Sequence, residues 1–227
     1  MINKTAIIAI IGVLLLSSCE LTSSLQSNEK LLVKNKIIFK DKIKNKQKYS
    51  EELQLLTFQK PNAKLFYLFP IKLGIYNLAY DPDKNDRKFA WWVKNKLGEP
   101  PVVFKDPLVI GSTKSRKNYR FNLGYLYNDI ETELKIKNKK VTVKYFITSN
   151  TRFAIDKIKL PNRVNDITKI IGDDSKNSLL KEDDFLNIKT LDLERSRVSS
   201  TLKNKGYYFF NKEYIAFDID SNNKKNA

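Results

Sequence analysis

Residues 129–148 read DIETELKIKNKKVTVKYFIT, and the alternation within this stretch decides the fold class. Apolar or β-branched side chains recur at every second position, pause at the lysine-rich turn 137–140, and then resume with the same period. Every second side chain of a strand points to the same face, so the pattern predicts two antiparallel strands with one apolar face and one wet face. The expected apolar set is Ile130, Thr132, Leu134, Ile136, Val141, Val143, Tyr145 and Ile147. Such a hairpin needs helices over its apolar side, which indicates an α+β fold.

The residues before the hairpin predict the elements that would cover it. Leu31 to Phe39 (LLVKNKIIF) has the composition of a strand. Ser50, followed by two glutamates, predicts the start of a helix, and Pro61 predicts its end. A second helix is expected between Pro107 and Leu123, ended by Gly124-Tyr125. The resulting order is strand, helix, helix, strand, strand.

An aromatic insertion interrupts this order. Residues 65–80 (LFYLFPIKLGIYNLAY) are apolar but broken by proline, lysine and glycine, which predicts a packed excursion rather than a membrane helix. Residues 86–97 (DRKFAWWVKNKL) predict a helix that Asp86 caps and Gly98 ends. Its expected buried face carries Phe89, Val93 and Leu97, with Trp92 beside them. Trp91 would face either the preceding segment or a partner.

Residues 151–227 predict a second copy of the module. Segments 153–160 and 214–219 are expected to be strands, and segments 167–171 and 192–205 are expected to be helices. Gly206-Tyr207 lies 82 residues (206 minus 124) after the first Gly-Tyr pair, and the phrases NLGYL and NKGYY have the same shape. A repeat of this length indicates two copies of one small module. The sequence stops where the second hairpin should turn, so we expect the second copy to lack its last strand.

The amino-terminal residues predict a lipoprotein signal. Lys4 and the apolar run from Thr5 to Leu16 are too short for a membrane span and are typical of a signal peptide over residues 1–18. Leu16-Ser17-Ser18 precedes Cys19 and resembles a bacterial lipobox, which implies acylation of Cys19. Residues 19–30 would then be a tether. Only Glu20 is acidic directly after Cys19, so we expect anchoring at the periplasmic face of the outer membrane.

Composition excludes several classes of activity. The chain has 227 residues, no histidine and one cysteine, which excludes histidine bases, intramolecular disulfides and cysteine-rich zinc sites. The acidic clusters 173–174 and 182–184 lie among Ser, Lys and Asn, so we expect solvated or capping roles and no enzyme activity. Residues 81–85 alternate like a calcium loop but lack the Gly and Glu that an EF-hand needs at positions 86 and 92, so no metal or other cofactor is expected. The formal net charge of +17 would suit nucleic acid, but the expected location excludes that partner.

The order of elements in residues 31–150, with its Gly-Tyr pair, resembles the POTRA module of outer-membrane assembly proteins of the BamA and TamA type. Several phrases are similar to those of the lipidated TamA-like branch of Bacteroidota, often called TamL: QKPN at 59–62, LGIYN at 73–77, GEPPV at 98–102 and FNKEYI at 210–215. Members of that branch continue into a transmembrane barrel. The resemblance implies tandem POTRA-like modules and a third strand lying between the other two.

The expected function is binding of client or partner polypeptides in outer-membrane protein assembly or translocation. In POTRA modules the second strand is the open edge, and an extended chain can add to such an edge through backbone hydrogen bonds. The candidate binding residues are therefore Asp129, Ile130, Glu131, Thr132, Glu133, Leu134, Lys135 and Ile136 in the first module and Tyr214, Ile215, Ala216, Phe217, Asp218 and Ile219 in the second. The alternative is a basic periplasmic lipoprotein that binds an anionic lipid or glycan surface.

Overall fold

The computed structural model describes residues 20–43, 45–66, 68–80, 88–148, 150–160 and 165–221. Within them the chain forms three strands, six α-helices and several short helical turns. The strands are β1 (Leu31–Phe39), β2 (Asp129–Lys137) and β3 (Lys140–Thr148). The helices are α1 (Lys46–Leu55), α2 (Ile71–Ala79), α3 (Lys88–Trp92, continued by a π-helical turn Val93–Leu97), α4 (Asp106–Asn122), α5 (Asp166–Asp173) and α6 (Ile188–Asn204). The α+β class and the order strand, helix, helix, strand, strand are confirmed, with α2 and α3 inserted between α1 and α4.

The chain divides into two compact units. Of the described residues, unit 1 comprises 20–38, 45–113 and 131–146, and unit 2 comprises 39–43, 114–130 and 147–221. Each unit is described by itself below.

The sheet has the order β1-β3-β2, so the third strand lies between the other two, as the resemblance implied. Val141, Val143 and Tyr145 of β3 are almost fully buried and belong to the hydrophobic core. A two-residue turn joins β2 to β3, and both of its residues, Asn138 and Lys139, have positive φ (48° and 57°). Two successive left-handed residues match the twist of a tight hairpin, which explains the close pairing of β2 with β3.

A second cluster in unit 1 involves residues that were expected to be a tether. Leu25 is buried with Leu31 and Leu73, and Leu21 packs against them. The Ser24 hydroxyl donates to Asn77 Oδ1 at 2.6 Å. The ordered fold therefore begins before Leu31.

Unit 2 is built on helices. Its core contains Phe153, Ile155, Leu180, Leu186 and Leu191. The predicted helix at 167–171 is present as α5, where Asn165 and Thr168 form a capping box. The predicted helix at 192–205 is α6, which begins four residues earlier because the Asn187 side chain caps it.

The two Gly-Tyr pairs end their helices in the same way. The Tyr125 N–H donates to the Arg120 carbonyl, and the Tyr207 N–H donates to the Leu202 carbonyl. Gly124 and Gly206 have φ of +88° and +99°. These are the bonds of a Schellman motif, which needs a left-handed residue that glycine supplies without strain. The repeat in the sequence thus corresponds to a repeated helix terminus.

Two helix predictions in unit 1 were wrong in detail. The helix expected from Ser50 begins at Lys46 after Asn45, which makes no side-chain cap. The expected buried face of α3 is only partly buried: Val93 is half-buried, but Phe89 and Leu97 are exposed. The other half-buried positions are Ala90 and Lys94, so the observed face coincides with the predicted one only at Val93.

The two strands expected in unit 2 were also not found. Of segment 153–160, only the part around Ala154 pairs, in an isolated antiparallel bridge to Phe185. Segment 214–219 follows a 3₁₀ turn at Lys212–Tyr214, and residues 215–219 have no strand assignment. Backbone hydrogen bonds join residues 153–155 to residues 183–186, so this segment does not pair with a later strand.

Candidate functional site: the edge of strand β2

The candidate site is the outer edge of β2, Asp129 to Ile136. Because two residues join the strands, Lys137 pairs with Lys140 and the register continues outward from there. Glu133 then lies opposite Lys144, and their side chains form an ion pair at 2.7 Å. In this register the odd-numbered β2 residues bond to β3, whereas the N–H and C=O of the even-numbered residues face away from it. No described strand pairs with β2 on that side.

The apolar face of β2 is largely uncovered. The register places Leu134 opposite Val143 and Ile136 opposite Val141, on one face of the sheet. Both valines are 0% exposed, whereas Leu134 is 38% and Ile136 is 48% exposed. Ile130 is the one buried residue of the strand. The prediction that Ile130 to Ile136 share one apolar face holds, but core residues cover that face only at Ile130.

The opposite face of β2 is charged. The Lys117 ammonium donates to Asp129 at 2.7 Å, and this hydrogen bond and the lysine charge lower the pKa of the Asp129 carboxyl. Glu131 and Glu133 follow on the same face, then Lys135 and Lys137. Charged side chains on an edge strand disfavour uncontrolled pairing with other edges. The acidic and basic halves would also favour a partner strand with the complementary order of charges.

The other edge of the sheet is partly occupied. Residues 102–104 run along the beginning of β1: Leu31 and Val103 form an antiparallel bridge, the Leu32 N–H donates to Val102, and the Phe104 N–H donates to Lys30. This segment acts as a partial fourth strand beside β1, so β2 is the more open of the two edges.

Two amide side chains hold that segment in place. Gln59 Nε2 donates to the Val103 carbonyl at 2.6 Å, and Gln59 Oε1 accepts the Lys105 N–H at 3.2 Å. Asn62, which is buried, donates to the Pro100 carbonyl and accepts the Val102 N–H at 3.0 Å. The phrases at 59–62 and 98–102 therefore meet in space. The sequence did not predict this role for Gln59 and Asn62, although an amide side chain can both donate to and accept from backbone groups.

The second candidate edge, Tyr214 to Ile219, is not a strand in this structure. The 3₁₀ turn before it is tied to α6, because Arg195 donates to the Lys212 carbonyl and pairs with Glu213 at 2.7 Å. Lys212 in turn pairs with Asp192. These contacts hold Lys212 and Glu213 in a turn directly before the segment where a strand was expected.

The acidic cluster at 173–174 has a structural partner that was not foreseen. Asp174 pairs with Arg197, which also pairs with the buried Glu194 at 2.8 Å. Burial alone would raise the pKa of Glu194, but hydrogen bonds from Arg197, the Leu179 N–H and Ser178 together hold it below its usual value. Hydrogen bonds from Asn177, Arg197 and Thr201 likewise lower the pKa of Asp174. This network ties α5 to α6. Of the two roles expected for Asp174, solvated or capping, the structure places it at the C-cap of α5.

Several predicted features lie outside the described residues: the signal peptide at 1–18, Cys19, the loop at 81–85 and Asp86. Among the helices that are described, none has both the length and the apolar character to cross a membrane. The described residues contain no cluster of three or more Cys, His, Asp or Glu side chains that could hold a metal ion.

No protein-family model matches the sequence, and no curated protein matches it. Solved structures are also similar to this chain, among them three that contain POTRA domains. POTRA domains 3–5 of BamA from Haemophilus influenzae share 13% identity over 78% of this chain and 51% of that chain, with a TM-score of 0.37. POTRA domains 1–2 of the periplasmic domain of Omp85 from Anabaena share 9% identity over 88% of this chain and 93% of that chain, with a TM-score of 0.37. POTRA domains 1–3 of the same periplasmic domain share 7% identity over 80% and 54%, with a TM-score of 0.39. The chain therefore spans about half the length of the Haemophilus structure.

Proposed function

We propose that this protein binds extended polypeptides by strand addition to β2, as a POTRA-like region in outer-membrane protein assembly or translocation. The observation that carries the proposal is the open edge of β2, which has outward backbone groups at Thr132, Leu134 and Ile136. An added strand would gain backbone hydrogen bonds that place few demands on its sequence. Such tolerance suits a protein that receives many different clients.

The uncovered apolar face adds a preference for alternating clients. An added strand would place every second side chain beside Leu134 and Ile136, where an apolar group removes exposed surface from water. The intervening side chains would lie beside the charged face of β2. Strands of membrane barrels alternate in this way over roughly ten residues, so unfolded outer-membrane proteins are the client class that fits best.

The segment Tyr214 to Ile219 is a secondary candidate. Residues 215–219 would have to become a strand on binding, with Ile215, Phe217 and Ile219 on one face. No described strand pairs with these residues, and they directly follow a turn that α6 holds through Lys212. We therefore assign the primary role to β2.

Location at the periplasmic face of the outer membrane is part of the proposal. It rests on the lipobox-like sequence before Cys19 and on the resemblance to the lipidated TamL-like branch. Acylation with more than one chain holds a protein stably at a membrane.

The test uses a synthetic peptide of about ten residues that alternates apolar and polar side chains, the pattern of a barrel strand. Thr132→Pro removes an outward N–H of β2 without removing a bond to β3, and Thr132→Val is the matched control that keeps the N–H. We expect Thr132→Pro to weaken binding of the peptide roughly tenfold, equivalent to one lost hydrogen bond, and Thr132→Val to leave it unchanged. Equal binding by both variants would contradict strand addition at β2.

A further inference from the structure

The insertion comprises the described residues 64–66, 68–80 and 88–97, and it exposes large apolar side chains that neither the sheet nor the proposed client site uses. Phe66, Leu78 and Phe89 are 81%, 78% and 76% exposed, and about half the surface of Trp91 and Trp92 is exposed. Apolar residues scattered singly over a surface need no explanation. Apart from Phe66, these side chains lie on α2 and α3, which both contact the turn that continues α3, and a group of exposed apolar side chains in one region is typical of an interaction site.

The inner face of the insertion is packed against other residues of unit 1, so the exposed side chains are not the result of poor packing. Leu73 and Asn77 of α2 are buried, and α2 packs against the π-helical turn that continues α3. Leu78 and Ile71 lie about 140° and 160° around the helix from Leu73, on the outward side. The inner face of α2 is therefore packed, while its outer face carries exposed apolar side chains.

The charge of the insertion is basic. Its described residues include five lysines and no aspartate or glutamate: Lys64, Lys72, Lys88, Lys94 and Lys96. Lysine ammonium groups beside exposed aromatic side chains complement a surface that is anionic at its boundary and apolar beneath it.

We propose that the insertion docks on an anionic phospholipid surface. Tryptophan has an apolar ring and a polar N–H, and it prefers the level of the lipid headgroups. Phe66, Leu78 and Phe89 project from the surface, as side chains that enter a fluid bilayer do, and each lysine near an anionic membrane adds attraction. This proposal does not depend on strand addition at β2, because it uses other residues.

The composition of the chain makes the proposal directly measurable. The only two tryptophans of the protein are Trp91 and Trp92, so its tryptophan emission reports on the insertion alone. The probe is a vesicle of equal parts phosphatidylglycerol and phosphatidylcholine, added to the full chain without acylation. We expect a blue shift of the emission and quenching by brominated lipid. Vesicles of phosphatidylcholine alone should give neither.

Variants separate the insertion from other membrane contacts. Phe89→Ser should weaken partitioning roughly tenfold, since a bilayer stabilises each buried apolar group. Lys88→Gln should weaken it roughly fivefold. Phe209→Ser, at a side chain 97% exposed in unit 2, is the matched control and should have no effect.

Three outcomes would overturn the proposal. The first is sedimentation with vesicles while the tryptophan emission stays unchanged, which would place the contact elsewhere, for instance in the amino-terminal apolar run. The second is an equal response to uncharged vesicles, which would remove the role of the lysines. The third is a blue shift that grows with protein concentration without lipid, which would make a second copy of the chain the occupant.

Discussion

Replacing Val143 or Leu134 by aspartate tests whether the apolar face of β2 is open. Val143 is 0% exposed, so Val143→Asp would lose roughly 1.5–3 kcal/mol of apolar burial and bury an unpaired carboxylate at a cost of several kcal/mol more. A whole domain is stable by only about 5–15 kcal/mol, so this change should abolish cooperative unfolding of unit 1. Leu134 lies opposite on the same face but is 38% exposed, so a carboxylate there reaches water. Leu134→Asp should cost only about 1 kcal/mol.

Urea unfolding of the full chain, followed by circular dichroism and by tryptophan emission, measures both effects. The emission reports on unit 1, where both tryptophans lie. Val143→Ala is the control for loss of volume without charge, and it should retain a cooperative transition. If Leu134→Asp unfolds the protein as Val143→Asp does, the apolar face of β2 is covered and the reasoning about the open edge fails.

Three further predictions concern other parts of the molecule. The pKa of Glu194 is lowered in the folded state, so its carboxylate should stabilise unit 2 at pH values above the unfolded-state pKa of about 4.3. That stabilisation should be lost as the pH falls through the folded-state pKa. Glu194→Gln should therefore flatten the dependence of Tm on pH between neutral and acidic conditions. Gly124→Ala should lower the free energy of unfolding by at least about 1 kcal/mol more than Gly206→Ala does, as measured by denaturant titration. Both glycines have positive φ, but only a Cβ at Gly124 would meet the Leu186 carbonyl oxygen, at 2.4 Å. Equal losses would show that backbone strain alone decides the cost. Cys19→Ala should abolish incorporation of labelled palmitate and release the protein from the membrane fraction, and persistent labelling would exclude acylation at that residue.

The hairpin and the two Gly-Tyr helix ends could be predicted from local patterns because the period of a strand and the residues that end a helix are local properties. The alternation in 129–148 and the Gly-Tyr helix ends needed no knowledge of distant residues. Helix starts were less predictable, since α1 begins after Asn45 without a side-chain cap. The face of α3 was missed because the helix becomes a π turn after five residues, which changes its periodicity.

The remaining errors concern contacts between distant residues. Segment 214–219 has the alternation of apolar and polar residues that is typical of a strand, but Arg195 and Asp192 of α6 hold the preceding residues in a turn. The exposure of the apolar face of β2 likewise depends on which helices cover which strands, and the sequence of β2 does not contain that information. Sequence reasoning could therefore name Leu134 as a member of the apolar face but could not find that it is partly exposed.

The central claim is that an extended polypeptide adds to the outer edge of β2, and amide hydrogen exchange resolved by residue tests it most directly. The alternating ten-residue peptide is added to the full chain, and exchange is compared with and without it. The account predicts slower exchange at the outward amides of Thr132, Leu134 and Ile136, with little change at Glu133, whose amide bonds to β3. Slowing confined to other segments, with β2 unchanged, would contradict the claim.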